Sequence, residues 1–243
     1  MALLDRGGLG PLTYSGFGHT VDWSRWARRW PWGGEGKGGY IIGDDGSQCA
    51  YLASAVTVQD GTAWLTARPT TDADSAHAWG MPYTSGLLSS FHCFKQTYGY
   101  FEVRARFPAG RGLHPGIGLY RNPNPSTEDE IDLIETIGAD TQGAFISLHY
   151  GRGSKDFVSQ QVRAYDAGAR MVTHGLLWTP QTLTWFQNDM QVGASVPTRP
   201  SQHDPMSLII NLGVGGSWAG TPDPQAFPAR LLVEGVRAYG LKR

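Results

Sequence analysis

The feature that most restricts the fold is an alternation in Tyr98–Phe107. Phe101, Val103, Ala105 and Phe107 recur at every second position, with Tyr100, Glu102, Arg104 and Arg106 between them. Successive side chains on a strand point to opposite faces, so this segment reads as a strand with one buried side and one wet or ligand-facing side. Other strand-like runs flank turn signals. Ala50–Val58 and Thr62–Ala67 surround Gln59-Asp60-Gly61, and Thr182–Gln187 and Met190–Val192 surround Asn188-Asp189. Such residues accept the positive φ of tight hairpins. Pro205–Leu212 and Leu231–Tyr239 are further apolar runs of strand length. With 33 Gly and 15 Pro in 243 residues, many short strands joined by turns are expected. The economical reading is one all-β domain over residues 1–243, an antiparallel sandwich. Residues 1–45, rich in Gly and Trp, are expected to wrap it mostly as loops.

Composition removes several function classes. A formal net charge of -1 gives no basic field for nucleic acid and no acidic field for a cationic partner. No run of about 18 apolar residues is present, so no membrane partner is expected. Gly213-x-Gly215-Gly216 lacks the Lys-Ser/Thr of a phosphate loop, and no Cys/His group has zinc spacing. Trp23–Trp32 mixes Arg with Trp, which admits nucleic acid or an acidic polysaccharide; a loop packing Trp on the sandwich with solvated Arg is the simpler reading. The nine Trp suit stacking on the apolar faces of sugars as well as core filling. Cys49 and Cys93 make one disulfide in an exported chain, or two buried thiols otherwise. Met1–Gly8 has neither the basic nor the apolar part of a signal peptide.

The acidic segment Thr127–Gly138 carries Glu128, Asp129, Glu130, Asp132 and Glu135. Thr127 and Glu130 have capping-box spacing and Gly138 suits a helix end, so a short surface helix is one reading. The β character of the chain and the residues Ile131, Leu133, Ile134 and Ile137 favour a strand. On a strand Glu130 and Asp132 share a face, and a single bulge brings Glu135 onto it. Three clustered carboxyls are electrostatically costly and raise one another's pKa, which is what a general acid needs. Retaining glycoside cleavage uses such a pair about 5–5.5 Å apart.

The hexapeptide Glu130-Ile131-Asp132-Leu133-Ile134-Glu135 resembles the Glu-x-Asp-x-x-Glu signature of glycoside hydrolase family 16, which includes laminarinases, lichenases, agarases and κ-carrageenases. Further similarities follow in order: Tyr98–Pro108, Leu148-His149-Tyr150-Gly151, Leu176–Pro180, Asn211–Gly220 and Val233–Tyr239. The resemblance implies a concanavalin A-like jelly roll of two antiparallel sheets with a concave substrate cleft. It implies an extracellular endo-acting hydrolase of a β-linked polysaccharide, with Glu130 as nucleophile, Asp132 as assisting acid and Glu135 as acid/base. A non-catalytic lectin and a transglycosylase are the alternatives on the same sandwich.

The resemblance also places substrate contacts at His114, His149, Asn211 and Trp218. His114 stands where many members carry the first Trp of Trp-Pro-Ala-x-Trp, and an imidazole there suggests a different sugar. No cofactor is required. A structural calcium is allowed, with Glu234 among its ligands. A monomer is the expected state.

Overall fold

The computed structural model describes residues 2–16, 23–32, 37–40, 46–121, 129–151, 156–163 and 165–242. Its first eight strands are β1 (Leu9–Ser15), β2 (Cys49–Tyr51), β3 (Val56–Gln59), β4 (Thr62–Pro69), β5 (Tyr83–Ser85), β6 (Leu87–Ser89), β7 (Gly99–Arg106) and β8 (Leu113–Arg121). The remaining eight are β9 (Glu130–Ile137), β10 (Asp140–Tyr150), β11 (Asp156–Arg163), β12 (Val172–Trp178), β13 (Thr182–Gln187), β14 (Met190–Pro197), β15 (Met206–Val214) and β16 (Ala229–Leu241). Two sheets result. One has ten strands along the path β14-β13-β12-β7-β16-β4-β5-β2, with β1 on β16 and β3 on β4. The other has six, in the order β11-β10-β9-β8-β15-β6.

The turn chemistry works as the sequence requires. Asp60 and Gly61 take φ of 48° and 76° between β3 and β4. Asn188 and Asp189 take 46° and 65° between β13 and β14. Positive φ at both central residues gives the twist that antiparallel strands share.

Two expectations are corrected. Ala50–Val58 is not one strand: β2 pairs with β5, β3 pairs with β4, and the single turn Ala53–Ala55 takes the chain from one partner to the other. The β2–β5 pair is parallel, so the ten-stranded sheet is not wholly antiparallel. Within residues 1–45, expected to be mostly loops, Leu9–Ser15 is a strand on β16. Residues 17–22, 33–36 and 41–45 of that stretch lie outside the described residues.

The core lies between the sheets. Leu65, Phe101, Val103 and Phe107 meet Ile117, Leu119, Ile131, Ile134, Leu148, Leu208, Ile210 and Leu212. Each such side chain contributes about 1.5–3 kcal/mol of burial. The alternation in β7 therefore holds on its apolar side, but the other side is wet only at its far end. Tyr100 and Glu102 are buried, while Arg104 and Arg106 are exposed. Leu4 packs on Tyr100, and Arg6 bonds Glu102 at 2.7 Å, so the N-terminal segment covers that face. In the Trp-rich stretch, Trp26 and Trp30 are buried on the sandwich and Arg28 lies over the exposed Trp23.

Candidate active site

Strand β9 carries the acidic segment, and its register is broken once. Glu130 and Asp132 pair with Tyr120 and Gly118 of β8, while Ile134 and Glu135 pair with Ile117 and Gly116. One step along β8 thus spans two on β9, and Leu133 is the extra residue. The same shift occurs against β10 between Phe145 and Ser147. A bulge changes the face that the following residues occupy. Glu130, Asp132 and Glu135 therefore share the side turned away from the core, while Ile131 and Ile134 are buried in it. The segment is a strand, not a helix, from Glu130 onward. Thr127, which with Glu130 gave the capping-box spacing, lies outside the described residues.

The Asp132 carbonyl, beside the bulge, has a partner outside its own sheet. The indole Nε1 of Trp185, buried on β13 of the opposite sheet, donates to that oxygen at 2.7 Å. Buried backbone oxygens need a partner, and this one is supplied through the core.

Glycines on β8 make room in front of the strand. A Cβ on Gly118 would lie 2.9 Å from Asp132 Oδ1, and one on Gly116 would lie 3.4 Å from Asn211 Oδ1 and 3.8 Å from Glu135 Cγ. Asn211, on β15, donates from Nδ2 to the Tyr51 hydroxyl at 3.2 Å.

Burial drives the Asp132 carboxyl well above the usual aspartate range, and Glu130 and Glu135 raise it further. Burial raises Glu130 as well; His149 opposes that rise, Glu135 adds to it, and hydrogen bonds from Tyr120 and Asp132 oppose it. The directions agree with a protonated Asp132 donating to an ionised Glu130. Tyr120, also pushed well above its ordinary value by burial and then by the three acids, donates to Glu130 as well. His149 Nε2 lies 3.6 Å from Asp132 Oδ2. Asp129, just before the strand, is a different case: its buried carboxylate is bonded by Arg121 at 3.2 Å.

On the Glu135 side, His114 Nε2 lies 2.9 Å from Glu135 Oε1. His114 is the second residue of β8, not a loop residue. Its ring meets Trp218 edge-on at 4.7 Å, and Trp218 meets Phe145 at 4.9 Å. Trp218 is 42% exposed. On the Glu130 side, His149 pairs with Phe157 of β11, and the two rings lie nearly parallel at 6.0 Å.

The profile of "Glycosyl hydrolases family 16" matches residues 44–228. The chain belongs to this family. It is 35% identical over 187 residues to the endo-1,3-1,4-beta-glycanase ExsH of Rhizobium meliloti, covering 76% of this chain and 39% of that one. It is 32% identical over 226 residues to the endo-1,3-1,4-beta-glycanase EglC of the same organism, covering 89% of this chain and 48% of that one. The chain thus spans less than half the length of these relatives. The laminarinase structure from Rhodothermus marinus superposes with a TM-score of 0.78 at 26% identity, over 96% of this chain and 98% of that one. The endo-beta-1,3-glucanase of Pyrococcus furiosus shares the fold at a TM-score of 0.82 and 22% identity, over 98% and 97% of the two chains.

Within this family 16 site, the structure brings together Glu130, Asp132, Glu135, His114, His149, Asn211 and Trp218. Glu234 stands apart. Its Oε2 accepts from Arg104 Nε at 2.6 Å, on the surface of the other sheet. Calcium takes six to eight oxygens, and a carboxylate held by a guanidinium is a poor start. Among the described residues no group of three or more His, Cys, Asp or Glu side chains is placed to hold a metal. No disulfide joins Cys49, which is buried, to Cys93, which is exposed, so neither expectation for the pair holds in full. Among the described residues no helix is long and apolar enough to cross a membrane. Sequence reasoning missed Tyr120, Gly116, Gly118, Phe157 and Trp185. The first three lie in the strand that pairs with the signature, and the period-two rule places them on its face once register is known.

Proposed function

We propose that the chain is a retaining endo-glycoside hydrolase that cuts a β-1,3- or β-1,4-linked polysaccharide. The observation that carries this reading is the bulge that turns Glu130, Asp132 and Glu135 to one face, where burial and mutual repulsion raise the Glu130 and Asp132 carboxyls. The names of the Rhizobium relatives support the linkage class. An exported enzyme working on extracellular polymer, acting as a monomer, fits the same reading.

In the first step a Glu130 carboxylate oxygen bonds to the anomeric carbon as the bond to the leaving oxygen breaks. The leaving oxygen takes the proton of Glu135. In the second step water gives a proton to Glu135, its oxygen bonds to the anomeric carbon, and the ester bond to Glu130 breaks. Hydrogen bonds from Asp132 and Tyr120 keep Glu130 ionised and aimed until attack. His149 offsets the negative charge of the pair. Trp218 and Phe145 supply an aromatic platform beside Glu135, and Asn211 a polar contact.

The test is reducing-end release from a panel of neutral β-glucans and acidic exopolysaccharides, with Glu130→Gln beside the wild type. The expected outcome is oligosaccharide release by the wild type alone, with β-anomer formed first by NMR. Binding of a glycan by both proteins without cleavage would replace this reading by a lectin. Products joined to added sugar acceptors, in place of reducing ends, would make the protein a transglycosylase.

A further inference from the structure

The geometry points to His114 as the positioning residue of the proposed acid/base Glu135, rather than as a sugar contact; this rests on the function proposed above. Four observations meet at this side chain. Its Nε2 is within hydrogen-bond distance of Glu135 Oε1, at 2.9 Å. Trp218 closes on the imidazole edge-on, at an interplanar angle of 86°. The imidazole is three-quarters covered, at 26% side-chain exposure, so a sugar ring has little of its face to lie on. Gly116, between His114 and Gly118 on the same face of β8, has no side chain to separate the imidazole from Glu135.

The chemistry fixes which way the bond runs. Glu135 must be a carboxylic acid before the first step and a carboxylate after it. An unprotonated Nε2 could meet only the acid form, as acceptor of its O–H, and would then hold the very proton the leaving group needs. An Nε2–H donates to Oε1 in both forms, whether that oxygen is a carbonyl or half of a carboxylate. His114 thereby occupies Oε1 and leaves Oε2 to carry the proton outward. A long side chain held at one oxygen also loses the freedom to swing away from the leaving group, and a misplacement of 1 Å can cost about a hundredfold.

The experiment compares His114→Leu and His114→Gln with the wild type on two substrates by kcat/KM, which reports the first bond cleavage. One is the glucan that the wild type cuts fastest. The other is the 2,4-dinitrophenyl β-glycoside of the oligosaccharide it releases, whose leaving group departs without a proton. His114→Leu should lose about tenfold to a hundredfold on the glucan and less than about threefold on the dinitrophenyl substrate. His114→Gln, which keeps an N–H donor, should recover much of the glucan rate. Equal losses on both substrates, or a loss expressed only in KM, would overturn the proposal in favour of a structural or sugar-binding role. A wild type inactive on both substrates overturns the function itself, and the positioning role with it.

Discussion

Each sheet buries one carboxylate on the face turned away from the core, and the two are treated in opposite ways. Glu102, on β7, is 4% exposed and is met by Arg6 at 2.7 Å and Arg237 at 3.4 Å, with the Tyr239 hydroxyl donating at 3.4 Å. Asp132, on β9, is 1% exposed and has Glu130 and Glu135 for neighbours and an imidazole at 3.6 Å. A buried charge must be paired, or it neutralises itself by holding a proton. The first solution ties the N-terminal segment and the last strand to the sheet. The second keeps a shared proton next to an ionised neighbour. Paired acid holds structure, and unpaired acid is poised for chemistry.

The largest effect should come from exchanging the two tests. Glu130→Gln is expected to lower kcat by at least about a thousandfold while leaving the melting temperature unchanged or raised. Comparable activity in this variant and the wild type would break the comparison on its catalytic side.

His174 sharpens it with a third solution, a buried base that gives up its charge. Burial lowers its pKa from 6.5 to about 3. The neutral imidazole therefore contributes stability that is present above about 6.5 and is lost as pH falls toward 3. Urea titrations at pH 7 and pH 4 should show the wild type losing several kcal/mol more than His174→Gln across that interval.

Glu102→Gln should keep activity but weaken the fold. Removing one partner of a fully buried pair costs 3–5 kcal/mol. Arg6 and Arg237 are about half exposed, so about 1–3 kcal/mol is expected, or several degrees in Tm. A fall in kcat without a fall in Tm would reverse the assignment.

The smallest effect concerns Asp132. Its pKa is raised in the folded state, so the stability of its protonated form is complete below about 3.8 and lost as pH rises through the folded value. Asp132→Asn cannot ionise. It should melt above the wild type at pH 8, by about 2–4 °C for each kcal/mol relieved, with the gap closing toward pH 4. Thermal scans across pH would show a constant gap if burial were not the cause.

Much of this was legible in the sequence because its rules are local. The alternation of Phe101, Val103, Ala105 and Phe107 and the positive-φ turn residues Asp60-Gly61 and Asn188-Asp189 act over a few positions. The spacing of Glu130, Asp132 and Glu135 already required the bulge that the structure contains. What was not legible depends on register or distant partners. Glu102 looked solvent-facing because Arg6 lies 96 positions away. His114 looked like a sugar contact, since only the pairing of β8 with β9 brings it to Glu135. Nothing in the order of residues ties Cys49 to a parallel pair with β5.

The bond from Trp185 to the Asp132 carbonyl crosses the core to reach the back of the bulged strand. Reaction geometry is thus anchored from behind, while the residues that would meet a polymer stand in front. Variation at Trp218 or Phe157 can accumulate without disturbing the spacing of the acids. A sandwich wired in this way can exchange one glycan for another over evolutionary time and keep the same cut.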